Sequence, residues 1–116
     1  MAQMSSDQDP MSSWPKAAAD ICSLIQIQAG AVVSRTLLKR SVGNVTLFAF
    51  DAGQELSEHT APFDALVLVV QGQAEITIAG EAHTVRKGEI LLMPGGRPHA
   101  VRASGELKML LTMIRQ

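Results

Sequence analysis

The amino-acid sequence predicts an all-β protein, a sandwich or barrel of short strands, and two observations carry this prediction. Between residues 31 and 114 short apolar runs follow one another, and Gly, Pro or Asn separates them at intervals of ~8–12 residues. After residue 30 no segment places apolar residues at helical spacing over a useful length. Repeated short strands with turn residues between them are typical of closed or layered β-structure.

The apolar runs locate the individual strands. Residues 74–79 alternate, with Ile76 and Ile78 on one face and Glu75 and Thr77 on the other, which predicts a half-buried strand. Further strands are predicted at residues 31–38, 45–50, 66–70, 83–85, 90–93, 99–102 and 107–114. Turns are predicted between them, because glycine adopts positive φ at little cost, at Gly43-Asn44, Asp51-Ala52-Gly53, Gly72, Gly80-Glu81, Lys87-Gly88 and Pro94-Gly95-Gly96.

Length and composition fit one domain with a real core. The chain has 116 residues, of which 47% are hydrophobic. A net charge of -1 gives no broad attraction to nucleic acid or anionic membranes, and no run approaches the ~18–20 apolar residues of a membrane span. The single cysteine, Cys22, excludes an intramolecular disulfide. We therefore expect neither a nucleic-acid partner nor a membrane.

The N-terminal end differs in composition from the rest of the chain. Residues 1–16 are rich in Ser, Asp and Gln and contain Pro10 and Pro15, which predicts a short flexible tail ahead of a folded domain at residues 17–116. Trp14 is expected to dock this tail on the barrel. Residues 16–25 are expected to form one helical turn and then a strand. The first residues lack the basic and apolar regions of a signal peptide, so we expect a cytoplasmic protein.

Two segments carry regular spacings of glycine, proline and histidine. In the first, five residues separate Gly53 from His59, Gly72 closes the segment, and Ala61 and Ala65 stand between the histidine and the closing glycine. The glycines fall where strands must reverse, so they specify the fold whether or not a ligand binds.

The second segment follows after a short interval. Five residues separate Gly88 from Pro94, one residue separates Pro94 from Gly96, two more lead to His99, and Ala103 follows. Together the two segments resemble the two motifs of the cupin family of small single-domain RmlC-like proteins, in the correct order and spacing.

The resemblance implies a cupin double-stranded β-helix, a jelly-roll barrel, over about residues 31–114. In the family, two histidines and a glutamate of the first motif and the histidine of the second bind one metal ion inside the barrel. By this resemblance the chain keeps His59 and His99 as metal ligands, and it carries Ala61 and Ala65 at the other two ligand positions.

Strand alternation supports a shared cavity for these positions. Residues 59, 61 and 65 have the same parity, so their side chains point to one side of a strand, and His99 is expected to face them from another strand. Imidazole and carboxylate ligands suit one divalent transition metal, Zn, Fe, Mn, Ni or Cu. Two imidazoles alone make a weak site, because catalytic metals normally have three or more protein ligands. The sequence thus predicts a degenerate metal site.

Three residues are considered as the missing ligand. Asp64 lies beside Ala65, and strict alternation points it to the opposite face; because Pro62 interrupts this segment, Asp64 is kept as a hypothesis. Glu58 has the same parity problem. His83 is interpreted as a packing or hydrogen-bonding residue rather than a ligand.

The remaining pocket is expected to be apolar and to fit a small organic ligand. Its predicted walls are His59, Ala61, Phe63, Ala65, Met93 and His99, with Leu66, Leu68 and Met109 as further candidates. Nearby arginines are interpreted as solvated side chains rather than carboxylate-binding groups, namely Arg86, Arg97 and Arg102.

Three functions stay open at the level of the sequence, and one of them, a purely structural or storage role, is neither supported nor excluded by the apolar composition. The missing ligands favour a cupin that binds a small organic molecule without the usual metal chemistry. The retained histidines favour a metal-dependent enzyme, an oxygenase, isomerase or decarboxylase, that uses His59 and His99 with a non-standard third ligand. A homodimer is also expected, because the runs at residues 31–38 and 107–114 are apolar on more than one face and are predicted at the barrel edges.

Overall fold

The structure is a computed structural model that describes residues 17–115. The predicted tail at residues 1–16, with Trp14, lies outside the described residues. The described chain begins with a 3₁₀ helix, Ile21–Leu24, and continues as nine strands: β1 Val32–Arg40, β2 Gly43–Phe50, β3 Glu55–His59, β4 Phe63–Gln71, β5 Gln73–Ile78, β6 Glu81–Arg86, β7 Ile90–Met93, β8 His99–Ala103 and β9 Leu107–Arg115. Within residues 17–115 no helix is long and apolar enough to cross a membrane.

The strands form two antiparallel sheets that face each other. One sheet has five strands in the order β1-β2-β9-β4-β7, and the other has four in the order β3-β8-β5-β6. The main core lies between the sheets and is built from the alternate, inward-facing side chains of each strand. Its fully buried members include Phe50, Val67, Val69, Ile76 and Leu107. The predicted all-β jelly-roll fold is confirmed.

Most strands coincide with the predicted apolar runs, and the differences have local causes. Strand β3 was not predicted, because Leu56 is its only apolar residue and gives no run. Strand β4 begins at Phe63, three residues before the predicted start. The strand expected after the helical turn near Ile25 is absent from the described chain, where an irregular segment leads to β1.

A second, smaller core lies on the outside of the five-stranded sheet. There Ile25 packs with Leu37, Leu47 and Ala49, so the irregular N-terminal segment covers the outer face of β1, β2 and β9. The buried Lys108 donates from Nζ to the carbonyl oxygen of Cys22 at 2.7 Å. This hydrogen bond ties the 3₁₀ helix to β9.

Strand β9 is not an edge strand, contrary to the expectation for residues 107–114. It pairs with β2 on one side and with β4 on the other, so its backbone groups are used in both directions. Edges of the five-stranded sheet are β1 and the four-residue β7. One face of β9 lies in the main core, and the other lies under the N-terminal segment. A central strand that is covered on both sides is apolar on both faces. The prediction was wrong because it took this composition as the sign of an edge strand.

Candidate functional site

Two histidines meet across the ladder between β3 and β8. His59 lies opposite His99, and the ring centroids are 4.4 Å apart with an interplanar angle of 67°. The register shifts by one residue between Leu56 and His59. Such a β-bulge changes the strand parity, so that both Leu56 and His59 turn toward the barrel interior.

The hydrogen bonds of the imidazoles set their tautomers. Nδ1 of His59 lies 2.8 Å from the carbonyl oxygen of Ser57, and Nδ1 of His99 lies 3.3 Å from that of Arg97. Because a carbonyl oxygen only accepts, Nδ1 carries the proton in both rings. A neutral ring then keeps its lone pair on Nε2, for which we find no partner among residues 17–115.

The two histidines differ in their contact with solvent. His59 is exposed, whereas His99 is 7% exposed. Burial of His99, and then the proximity of His59, lower the pKa of the His99 imidazole below its ordinary value, and the hydrogen bond to Arg97 opposes this shift. Burial and the proximity of His59 both favour the neutral ring, so His99 presents an acceptor nitrogen near neutral pH.

The histidine pair lines a cavity of about 150 Å³ between the sheets. Its other walls are apolar, so the imidazoles are the polar side chains in the lining. These walls consist of Phe48, Leu56, Ala61, Phe63, Ala65, Met93, Val101, Met109, Leu111 and Met113. The Arg115 guanidinium lies 5.2 Å from the centroid of the Phe63 ring and covers that wall.

The structure brings all six predicted pocket residues to this cavity, but two further candidates are wrong. Leu66 and Leu68 do not line it, and Leu66 is 40% exposed on the outer face of β4. Inward positions on β4 are the odd-numbered ones, which include Ala65 and Val67. Because β4 carries leucine or valine on both faces, apolar character alone did not show which residues point inward.

Asp64 does not fill the place of the missing ligand. Its Oδ1 accepts from the backbone N–H of Gly95 at 2.8 Å, and its side chain is not part of the cavity lining. The backbone N–H of Gly96 donates to the carbonyl oxygen of Ala61 at 2.9 Å. The two bonds fix the loop before β8, so Asp64 helps to position His99 rather than to coordinate an ion.

The other charged candidates also lie outside the cavity. His83 lies beside Glu81, with Nε2 3.4 Å from the carboxylate. Glu58 and Arg102 border a shallow groove on the four-stranded sheet. The sequence analysis missed five residues of the cavity wall, namely Phe48, Leu56, Val101, Leu111 and Met113. For β9, the alternation of Met109, Leu111 and Met113 could have shown that these three side chains share the inward face.

An antiparallel two-sheet barrel with a histidine pair inside it defines a small protein of the cupin class. The family model described as Cupin_2, cupin domain, matches residues 46–115. Because this match spans more than half of the sequence, the chain belongs to the Cupin_2 family.

Two solved structures and one curated protein are similar to this chain over most of its length. A conserved protein of unknown function from Streptococcus pyogenes is 36% identical, with a TM-score of 0.84 over 88% of this chain and 90% of the other. A cupin superfamily protein from Desulfitobacterium hafniense is 28% identical, with a TM-score of 0.85 over 90% and 96%. An uncharacterized protein of Aquifex aeolicus is 28% identical over 85% of this chain and 84% of its own.

Cupins often bind a metal ion, but the donors present here do not fit the family's usual ion. Residues 17–115 contain no group of three or more His, Cys, Asp or Glu side chains placed to hold a metal. Ala61 and Ala65 contribute methyl groups where the resemblance places an imidazole and a carboxylate. A divalent ion would have two imidazoles, no neutralising carboxylate and an apolar surrounding, which is a poor site for a dication.

Proposed function

We propose that this cupin binds a small organic molecule in the barrel cavity, with the polar end of the molecule against His59 and His99. The observation that carries the proposal is the lining itself: apolar on every side, with two adjacent imidazoles as its polar side chains. This combination, in which apolar walls supply affinity and a few polar groups supply orientation, is typical of sites for small ligands.

The size of the cavity limits the ligand. A volume of about 150 Å³ is below the ~300–1,000 Å³ of pockets for drug-sized molecules and is close to that of a cavity that holds benzene. Because neutral Nε2 atoms accept hydrogen bonds, the ligand should present a donor, such as a hydroxyl group. Phenol combines the size and the donor and is therefore a suitable probe.

A titration with phenol tests the proposal. We expect saturable binding by ligand-observed NMR, and weaker binding of benzene, which lacks the hydroxyl group. The variant Ala61→Leu adds three carbon atoms to a half-buried wall position and should abolish binding of phenol. Ala82→Leu, at an exposed position of β6, is the matched control and should bind as the parent does. Equal binding of phenol by both variants would refute the cavity as the site.

The retained histidine pair supports a second candidate function, a metal-dependent enzyme in which His59 and His99 hold one divalent ion with a non-standard third ligand. Elemental analysis of protein purified without chelator separates the two functions. The first gives less than one equivalent of Zn, Fe, Mn or Ni, whereas a stoichiometric amount of one of these metals that is lost in His99→Ala supports the second. If the barrel keeps the family geometry, Ala61→His combined with Ala65→Glu should raise Zn²⁺ affinity by at least about tenfold.

A further inference from the structure

Three methionines converge on the cavity that the histidine pair lines. Met93, Met109 and Met113 all belong to its wall, and Met93 and Met109 are 2% and 1% exposed. The chain has six methionines, and the other three lie at or before residue 11. The described part of the chain therefore places all of its thioethers around one small cavity.

The register of the five-stranded sheet fixes two of these methionines beside a former ligand position. Ala65 pairs with Met93 across the β4–β7 ladder and with Met113 across the β4–β9 ladder. Side chains that face each other across an antiparallel ladder have Cβ atoms ~4.5–5.5 Å apart. The two thioethers thus flank Ala65, the position at which the resemblance places the carboxylate ligand.

The donor set has changed from hard to soft. An oxygen donor and one imidazole are missing, while two imidazoles and flanking thioethers are present. Thioether sulfur selects Cu(I) over the divalent ions that carboxylates bind. Charge leads to the same conclusion, because the cost of transferring an ion into an apolar site rises with the square of its charge, so a monocation needs no neutralising carboxylate.

From this arrangement we propose that the cavity binds one Cu(I) ion through His59 and His99 and the thioethers of Met93 and Met113. Both imidazoles donate their Nδ1 protons to backbone carbonyls, so Nε2 of each ring is the coordinating atom. This site goes beyond the binding of an organic ligand and does not require it. Binding is a coordination step without change of oxidation state.

An anaerobic competition titration tests the site. The protein is titrated into Cu(I) held by the chromophoric chelator bicinchoninate, and we expect it to withdraw one equivalent. Met93→Leu and Met113→Leu conserve side-chain volume and should each weaken Cu(I) binding at least about tenfold, a loss of one coordinating bond. Met11→Leu, which removes a thioether from the N-terminal part of the chain, is the matched control and should leave the affinity unchanged.

Two results would overturn the assignment. One is failure of the parent protein to withdraw Cu(I) from the chelator; the other is a Met93→Leu, Met113→Leu double variant that retains the parent's Cu(I) affinity. X-ray absorption at the copper edge of the loaded parent protein gives a check that needs no variant: sulfur scattering supports thioether ligation and its absence contradicts it. Phenol titration of the copper-free protein is scored separately, so either proposal can fail without the other.

Discussion

At the scale of single residues, the environment of His99 has a consequence for stability. Its pKa is lowered in the folded state by burial and by the nearby His59. In the unfolded chain the imidazole returns to an ordinary pKa of 6.5. Between the lowered pKa and 6.5 the unfolded state binds more protons than the folded state, so the free energy of unfolding decreases as the pH falls through this window.

The variant His99→Gln removes this titration and keeps a polar side chain. We expect urea unfolding between pH 7.5 and 5 to show a decline in stability for the parent protein and a flatter profile for His99→Gln. His59 and His83 are the other two histidines of the chain and are the same in both proteins, so the comparison tests the substituted residue, His99. Parallel profiles would show that folding does not shift the protonation of this ring.

Residue-scale prediction from the sequence worked where a motif fixed the position and failed where only composition was available. The spacing from Gly53 and from Gly88 placed His59 and His99, and the structure pairs these two residues directly. For Leu66 and Leu68 the only information was apolar character, which β4 shows on both faces. The side chain of Leu56 points into the barrel because of a β-bulge, and no residue in β3 predicts a bulge there.

At the scale of elements, the contacts between the start of β4 and the loop before β8 determine where His99 sits. The carboxylate of Asp64 accepts from the backbone of Gly95, and Ala61 accepts from Gly96. Both contacts come from the segment that carries the two alanines of the first motif. The loop is therefore held in place by Asp64, which the sequence offered as a substitute ligand, and by the backbone of Ala61, which occupies a ligand position of the family motif.

Removing the Asp64 carboxylate should loosen this loop. We expect Asp64→Ala to lower the free energy of unfolding by about 1.5–3 kcal/mol, the usual loss for a hydrogen bond to a charged group, and to broaden the NMR signals of residues around His99. Asp64→Asn keeps an oxygen acceptor at the same place and should lose less. Equal losses for the two variants in urea unfolding would mean that the contact with Gly95 is not the cause.

Strand order was partly accessible from the sequence. Alternation identified β5 almost completely, and turn glycines separated most of the other strands. Gly72 shows why such a position is restrictive: its φ is +75°, and a Cβ there would overlap the carbonyl oxygen of Glu106. Which strands become neighbours depends on contacts between distant segments, so the central place of β9 was not readable from its own residues.

At the scale of the whole molecule, part of the five-stranded sheet has an apolar outer surface that no residue between 17 and 115 covers. Within this range the segment before β1 covers β1, β2 and β9, whereas the outer side chains of β4 and β7 are exposed, with Ile90 62% and Leu92 54% exposed. Leu66 lies opposite Leu92, and Leu68 lies opposite Ile90, so the four side chains form one patch beside the free edge of β7. Contiguous apolar patches of this kind mark interaction surfaces.

The homodimer expected from the sequence, on residues 31–38 and 107–114, stays a prediction, and we propose this patch as its interface instead. We expect light scattering at tens of micromolar protein to give the mass of a dimer for the parent protein. Leu92→Glu places charges inside the patch and should give the mass of a monomer. Ala82→Glu, exposed on β6 of the opposite sheet, is the control and should remain dimeric. A monomeric parent protein, or a dimeric Leu92→Glu variant, would contradict this interface.

The most direct test of the central claim, that the histidine pair is the polar end of a ligand cavity, is a ¹⁵N NMR spectrum of the imidazole rings during titration with phenol. The chain has three histidines, and His83 lies outside the cavity beside Glu81, so it serves as an internal reference. We expect the Nε2 signals of His59 and His99 to move together and to saturate, while the His83 signals stay in place. Movement of all three rings alike, or of none, would contradict the account.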